Sequence, residues 1–162
     1  MRDTSTHRAP EAWDAVRATE IIAGLKDQDG PLLPILHAMQ QAFGCIPEAA
    51  EPLIAAELNI TRAEVHGVVT FYHDFRREPG GRHVLKICRA EACQSMGGDA
   101  LVSYLEHSLG LTCGETSADG RITVEAVYCL GLCAVAPSAM FDGAVVGRLN
   151  ERRLTTLVAE AK

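Results

Sequence analysis

The stretch "KICRAEACQSMGG", residues 86–98, ends an apolar run in two cysteines, Cys88 and Cys93, and "VYCLGLCAVAP", residues 127–137, repeats the device with Cys129 and Cys133. The first pair is separated by four residues, the second by three, and thirty-five residues lie between the pairs. Each pair follows a segment that reads as a strand. In a layered α/β domain such strand ends can meet at one edge of a sheet, so four sulfurs could converge on one inorganic centre.

Around these motifs the pattern is that of strands and helices. "HVLKI" reads as a buried strand, "GGDALVSYLEHSLG" as a helix with Leu101, Leu105 and Leu109 on one side, and "RITVEAVY" as a half-buried strand alternating on Ile122, Val124 and Ala126. "SAMFDGAVVGRL" predicts a hairpin turning at Asp142-Gly143, and "ERRLTTLVAE" a closing helix on Leu154, Leu157 and Val158. This order is that of a small α/β layer domain.

Upstream, "RREPGGR", residues 76–82, breaks the period and marks a boundary. Before it the chain reads as short helices. Ala18, Ile21, Ile22 and Leu25 share a face in a segment opened by Pro10-Glu11 and stopped at Asp29-Gly30. Leu32, Leu36, Met39 and Phe43 form a second face ending at Gly44, and "CIPEAAEPLIAAEL" a third helix that Pro52 should start or kink. The fourth begins at Thr61 and Glu64, in capping-box spacing, and lines up Val65, Val68, Val69 and Tyr72. The organisation expected is an arm over 1–10, a helical domain over 11–80 and an α/β domain over 81–162.

Composition narrows the function. Of 162 residues 48% are hydrophobic, enough for a core. Twenty-one acidic against fifteen basic side chains give a net charge of -6 without a basic stretch, which argues against nucleic acid as a partner. The longest uncharged run, Ala126 to Phe141, is too short to span a bilayer and holds Pro137. With no signal-like N-terminus the expected location is the cytoplasm, where thiols stay reduced.

Four readings of the cysteines follow from spacing. A 2Fe-2S cluster takes four thiolates, two per iron, and loops of three or four residues give each pair room to chelate one iron. Structural zinc also takes four thiolates but prefers CxxC knuckles, and neither pair is CxxC. A dithiol oxidoreductase wants two cysteines two residues apart at a helix start. Inert buried thiols are common singly, less so as two close pairs.

The C-x4-C and CLGxC pairs, preceded by "GCIPE", "AEVHGVVTFYHDF" and the Pro-Gly linker, resemble the thioredoxin-like 2Fe-2S ferredoxin family over about residues 15 to 160. That family includes the 24-kDa-type subunit of respiratory complex I and subunits of NAD-linked hydrogenases and formate dehydrogenases. Within it, "HGVVTFYHDFR" and "CRAEACQSMG" most resemble the gamma subunits of soluble, molybdenum-containing, NAD-dependent formate dehydrogenases. The resemblance implies a thioredoxin-like domain behind a small helical bundle, with Cys88, Cys93, Cys129 and Cys133 ligating one 2Fe-2S cluster. Cys88 and Cys93 would hold one iron and Cys129 and Cys133 the other. It also implies docking on a subunit that binds flavin and NAD and, through it, electron exchange with a molybdenum-containing catalytic subunit. The chain shows no Gly-rich dinucleotide fingerprint and no triad candidate, so it is expected to carry electrons and do no substrate chemistry alone.

Other residues carry smaller expectations. Arg89, opposed by Glu91, either offsets cluster charge or is a solvated side chain. Gly131 should let backbone N–H groups approach the sulfurs. Cys45 reads as a buried apolar residue, Cys113 as a strand thiol, and the six histidines as structural, His66 and His73 lying on or just past the fourth helix. Phe71, Tyr72 and Phe75 read as core or seam, and Pro137 resembles the proline beside the active edge of thioredoxin folds, often cis.

Overall fold

The computed structural model describes residues 10–161, so the arm expected over 1–10 lies, but for Pro10, outside the described residues. The chain forms two compact units, one ending at Pro79 and the other beginning at Gly80.

The first unit is built from α1 (Ala15–Leu25), α2 (Leu32–Phe43), α3 (Ala50–Leu58) and α4 (Arg62–Phe71). α1 starts later than Pro10-Glu11. The Asp14 carboxylate accepts from the Val16 N–H at 2.9 Å and caps the helix, while the Glu11 N–H is spent on the Ala42 carbonyl at 2.8 Å. α2 ends at Gly44, whose φ of 75° is left-handed. Pro52 neither opens nor kinks α3: it is the third residue of the first turn, where a backbone donor has no partner to lose. The Thr61 and Glu64 side chains each bond the other's backbone N–H, at 3.2 and 2.8 Å, as the spacing predicted.

Ile22, Ile35, Leu36, Met39, Phe43, Ile54, Val65 and Phe75 pack into this unit's core, with the ring of Trp13 edge-on to Phe43 at 5.1 Å. The aromatic cluster divides. Phe75 is buried, but Phe71 is 73% exposed and Tyr72, one residue beyond α4, is 44% exposed. The reason is phase: Val65 and Val69 take the inward face of α4, and Phe71 falls on the opposite side.

The second unit is an α/β layer built on β1 (His83–Cys88), α5 (Glu91–Ser95), α6 (Gly98–Leu109), β2 (Ile122–Val127), a 3-10 turn (Cys133–Val135), β3 (Ala139–Phe141), β4 (Ala144–Val146) and α7 (Glu151–Glu160). The sheet order is β2-β1-β3-β4, with β1 parallel to β2 and antiparallel to β3. Leu85, Ile87, Ile122 and Val124 from the strands meet Leu101, Leu105, Leu154 and Val158 from α6 and α7. The Asp142-Gly143 turn has positive φ at both residues, 48° and 81°, and the Asp142 carboxylate accepts from the Val84 N–H at 2.8 Å, fastening the hairpin to β1.

Two local expectations fail, and one element has no signal in the sequence: α5 is only five residues long, without a period to read. Ala126 is exposed and Thr123 buried, because the hydroxyl of Thr123 accepts the Gly81 N–H at 2.6 Å and meets the Thr116 hydroxyl at 2.7 Å. Cys113 lies in a turn, not a strand, and packs half-buried on the core.

Candidate metal centre

The parallel pairing of β1 and β2 brings their carboxyl ends to one edge. Cys88, the last residue of β1, is in register with Val127, and Cys129 follows two residues later. The edge is tied on both sides: the Cys88 N–H donates to the Ser138 carbonyl at 3.0 Å and the Arg89 N–H to the Val127 carbonyl at 2.8 Å.

Cys93 is placed by α5. A Cβ added at Gly98, the first residue of α6, would stand 2.6 Å from the Cys93 carbonyl oxygen, so the close approach of α6 to this turn depends on glycine. Cys88 and Cys93 are both buried, in an apolar cluster with Ala136, Ala90, Ala92, Val127 and Leu130. Cys129 and Cys133 are exposed. All six cysteines are free thiols.

The sulfurs of Cys129 and Cys133 stand 3.7 Å apart. Two thiolates on one tetrahedral metal, with metal–sulfur bonds of about 2.3 Å, are separated by roughly 3.7 Å. The pair is therefore spaced to chelate one ion. Among the described residues no group of three or more Cys, His, Asp or Glu side chains gathers as around a single ion. Cys129 and Cys133 stand as one pair, and Cys88 and Cys93 lie together in one buried cluster at the same strand edge.

Fixed dipoles point at the sulfurs. The Gly131 N–H reaches the Cys129 sulfur at 3.3 Å. Burial pushes the Cys88 thiol up, yet it lies below its ordinary value, because the backbone N–H of Ala90, the Cys93 thiol, the backbone N–H of Cys129 and the Ser138 hydroxyl together outweigh burial. The Cys133 thiol lies above its ordinary value, first through its hydrogen bond with Cys129, then through the charge of Cys129, its own desolvation and the charge of Cys93.

The Gly131 N–H makes the approach to sulfur expected of it; nothing lies within 4 Å of a Cβ built there, so what favours glycine is its φ of 75°. Arg89 turns to Asp99, at 3.0 Å, and not to Glu91. Cys45 is buried in the first unit, and burial raises both its thiol and that of Cys113. His66 meets the Glu51 carboxylate at 3.1 Å. Besides Thr123, two buried polar groups are not evident from the sequence, Glu51 in α3 and Ser138 beside Cys93. "AAEPLIAAEL" gives no sign that Glu51 faces inward, whereas Ser138 directly follows Pro137, whose bond to Ala136 is cis.

Residues 18–162 match the family model described as thioredoxin-like 2Fe-2S ferredoxin. The NADP-reducing hydrogenase subunit HndA of Solidesulfovibrio fructosivorans is 30% identical over 141 residues, covering 87% of this chain and 82% of that one. One subunit of the NADH-quinone oxidoreductase of Pseudomonas aeruginosa is 37% identical over 117 residues, covering 72% of this chain and 70% of that one. The crystal structure of an NAD+-reducing NiFe-hydrogenase in the air-oxidised state superposes on 80% of the chain with a TM-score of 0.68 and 25% identity, although the chain spans only 22% of that longer polypeptide.

Proposed function

The chain belongs to the thioredoxin-like 2Fe-2S ferredoxin family, and on that premise we propose that Cys88, Cys93, Cys129 and Cys133 hold its cluster, the first two on one iron and the last two on the other. Membership brings one 2Fe-2S cluster and the role of electron-transfer subunit in complexes of the NADH-quinone oxidoreductase or NAD-reducing hydrogenase type. The observation that carries the ligand assignment is the 3.7 Å spacing of Cys129 and Cys133 at the strand edge that also ends in Cys88.

When bound, the cluster stores and releases one electron at a time. The protein's part is to hold it and bias it. Four thiolates bind it. The N–H groups of Ala90, Cys129 and Gly131 offer partial positive charge to sulfur. The apolar residues around Cys88 and Cys93 keep water from the inner pair, while Cys129, Cys133 and the exposed ring of Tyr128 face outward, where an electron-exchanging partner can come close.

The finer reading concerns the assembly. "HGVVTFYHDFR" and "CRAEACQSMG" support a place as the gamma subunit of an NAD-dependent formate dehydrogenase, docked on a flavin and NAD subunit that is linked to a molybdenum-containing catalytic subunit. Six unpaired thiols support a reducing, cytoplasmic location. Among the described residues no helix is long and apolar enough to cross a membrane.

Iron and acid-labile sulfide analysis of the anaerobically purified chain, with EPR before and after dithionite, tests the cluster. About two of each per chain, with a signal only on reduction, is expected. Zinc without sulfide, in protein kept from oxygen throughout, would leave a structural metal in a binding module. The complex isolated through this chain should reduce NAD+ with formate; reduction with hydrogen or quinol alone would remove the formate assignment.

A further inference from the structure

Ser138 is 1% exposed, and its hydroxyl lies 3.5 Å from the Cys93 sulfur. A buried hydroxyl has one proton to give, and the Cys93 sulfur is within its reach. Its backbone is held as well, since the Ser138 carbonyl accepts from the Cys88 N–H at 3.0 Å. The side chain is therefore anchored at the end of the very strand that supplies a thiolate, in a pocket from which water is excluded.

Between a thiol and a hydroxyl either atom can donate. A cysteine that binds metal does so as the thiolate and has no proton left, so the hydrogen bond then has one direction, from Ser138 to sulfur. We propose that the Ser138 hydroxyl tunes the reduction potential of the cluster, donating a hydrogen bond to the Cys93 thiolate and stabilising the reduced state. This rests on the ligand set proposed above.

The sign follows from charge. Reduction adds one negative charge, which spreads over the sulfurs, so a donor aimed at sulfur strengthens on reduction and raises the potential. Burial enlarges the effect because no solvent dipole replaces the hydroxyl when it is lost. Ser138 touches neither electron donor nor acceptor; it acts through Cys93 and is a positioning residue.

The test is a redox titration of the full chain loaded with its cluster, followed by EPR of the reduced signal. Ser138→Ala should lower the equilibrium constant for reduction about tenfold, a fall of about 59 mV for a one-electron couple. Ser138→Thr, which keeps the hydroxyl, should stay close to the unsubstituted chain, and Ser138→Gly gives a second removal should the alanine chain not load. A fully loaded Ser138→Ala chain with unchanged potential overturns the proposal, and so does an equal shift in the alanine and threonine chains, which would be an effect of packing. Loss of loading in both alanine and glycine chains while threonine loads also overturns it, making the hydroxyl a structural support. If the unsubstituted chain binds no iron and sulfide, the ligand assignment fails instead, and the two failures are told apart before any substitution is made.

Discussion

Glu51, wholly shielded from solvent in α3, takes the guanidinium of Arg77 at 2.5 Å on the carboxylate oxygen that also meets His66. Its other oxygen takes Arg62 at 3.3 Å from the start of α4. One acidic side chain thus ties α3 to α4 and to the segment beyond α4. Removing it takes this carboxylate from Arg77 and leaves Arg62 to Glu48. Because both arginines keep part of their surface in water, Glu51→Ala should cost at the lower end of the range for broken buried pairs, about 3 kcal/mol. Trp13, the chain's single tryptophan, packs on Phe43 in the same unit, so the loss should appear in urea unfolding followed by its fluorescence.

The same carboxylate sets a pH dependence. Burial pushes Glu51 up, but hydrogen bonds from Arg77, His66 and Arg62 outweigh burial and leave it below its ordinary value of 4.5. A folded pKa below the unfolded one means that the contribution is fully present above about pH 4.5 and is lost as pH falls through the folded value. The urea midpoint of Trp13 fluorescence should therefore drop steeply on acidification, and Glu51→Gln should flatten that limb. An acid limb of unchanged steepness in the glutamine chain would contradict the assignment.

Serine at any of Cys88, Cys93, Cys129 or Cys133 should bleach the cluster or leave it unstable, with iron and sulfide falling together. Cys45→Ser and Cys113→Ser should keep the full complement, since neither thiol lies at the strand edge. Loss of colour with Cys113→Ser and retention with Cys93→Ser would reverse the ligand assignment.

Gly131→Ala should fold, since nothing crowds the added methyl, but it must adopt a φ of 75°. The strain is roughly 1–2 kcal/mol, borne by the loop between Cys129 and Cys133. Iron release to a chelator should accelerate by up to about tenfold, while the circular dichroism of the chain stays as it was.

Much of this architecture can be read directly from the residues because local chemistry dictates it. The capping box at Thr61, the Gly44 stop and the Asp142-Gly143 turn each need a particular side chain or a positive φ, and each sits where its residues announce it. The proposed ligand pairs stand out for the same reason, each as two thiols at chelating distance along the chain. What stays hidden depends on tertiary context. The inward phase of Glu51, the exposure of Phe71 and the hydroxyl of Ser138 against Cys93 are set by neighbours remote in sequence. Asp14 took the start of α1 from Pro10-Glu11 because a side-chain cap competes well with a proline that only permits a helix.

The parallel register that sets Cys88 opposite Val127 bears on how the molecule is assembled. β1 and β2 are joined by a long crossover, whose closure costs more chain entropy than that of a hairpin. Side chains alternate across a strand, and a slip of one residue would turn Cys88 to the wrong face and separate the pairs. On the proposed ligand set, cluster loading would report on register, since only a chain that has paired its strands correctly presents those four thiolates at once. With iron and sulfide in excess, colour per mole of chain would then count correctly paired molecules.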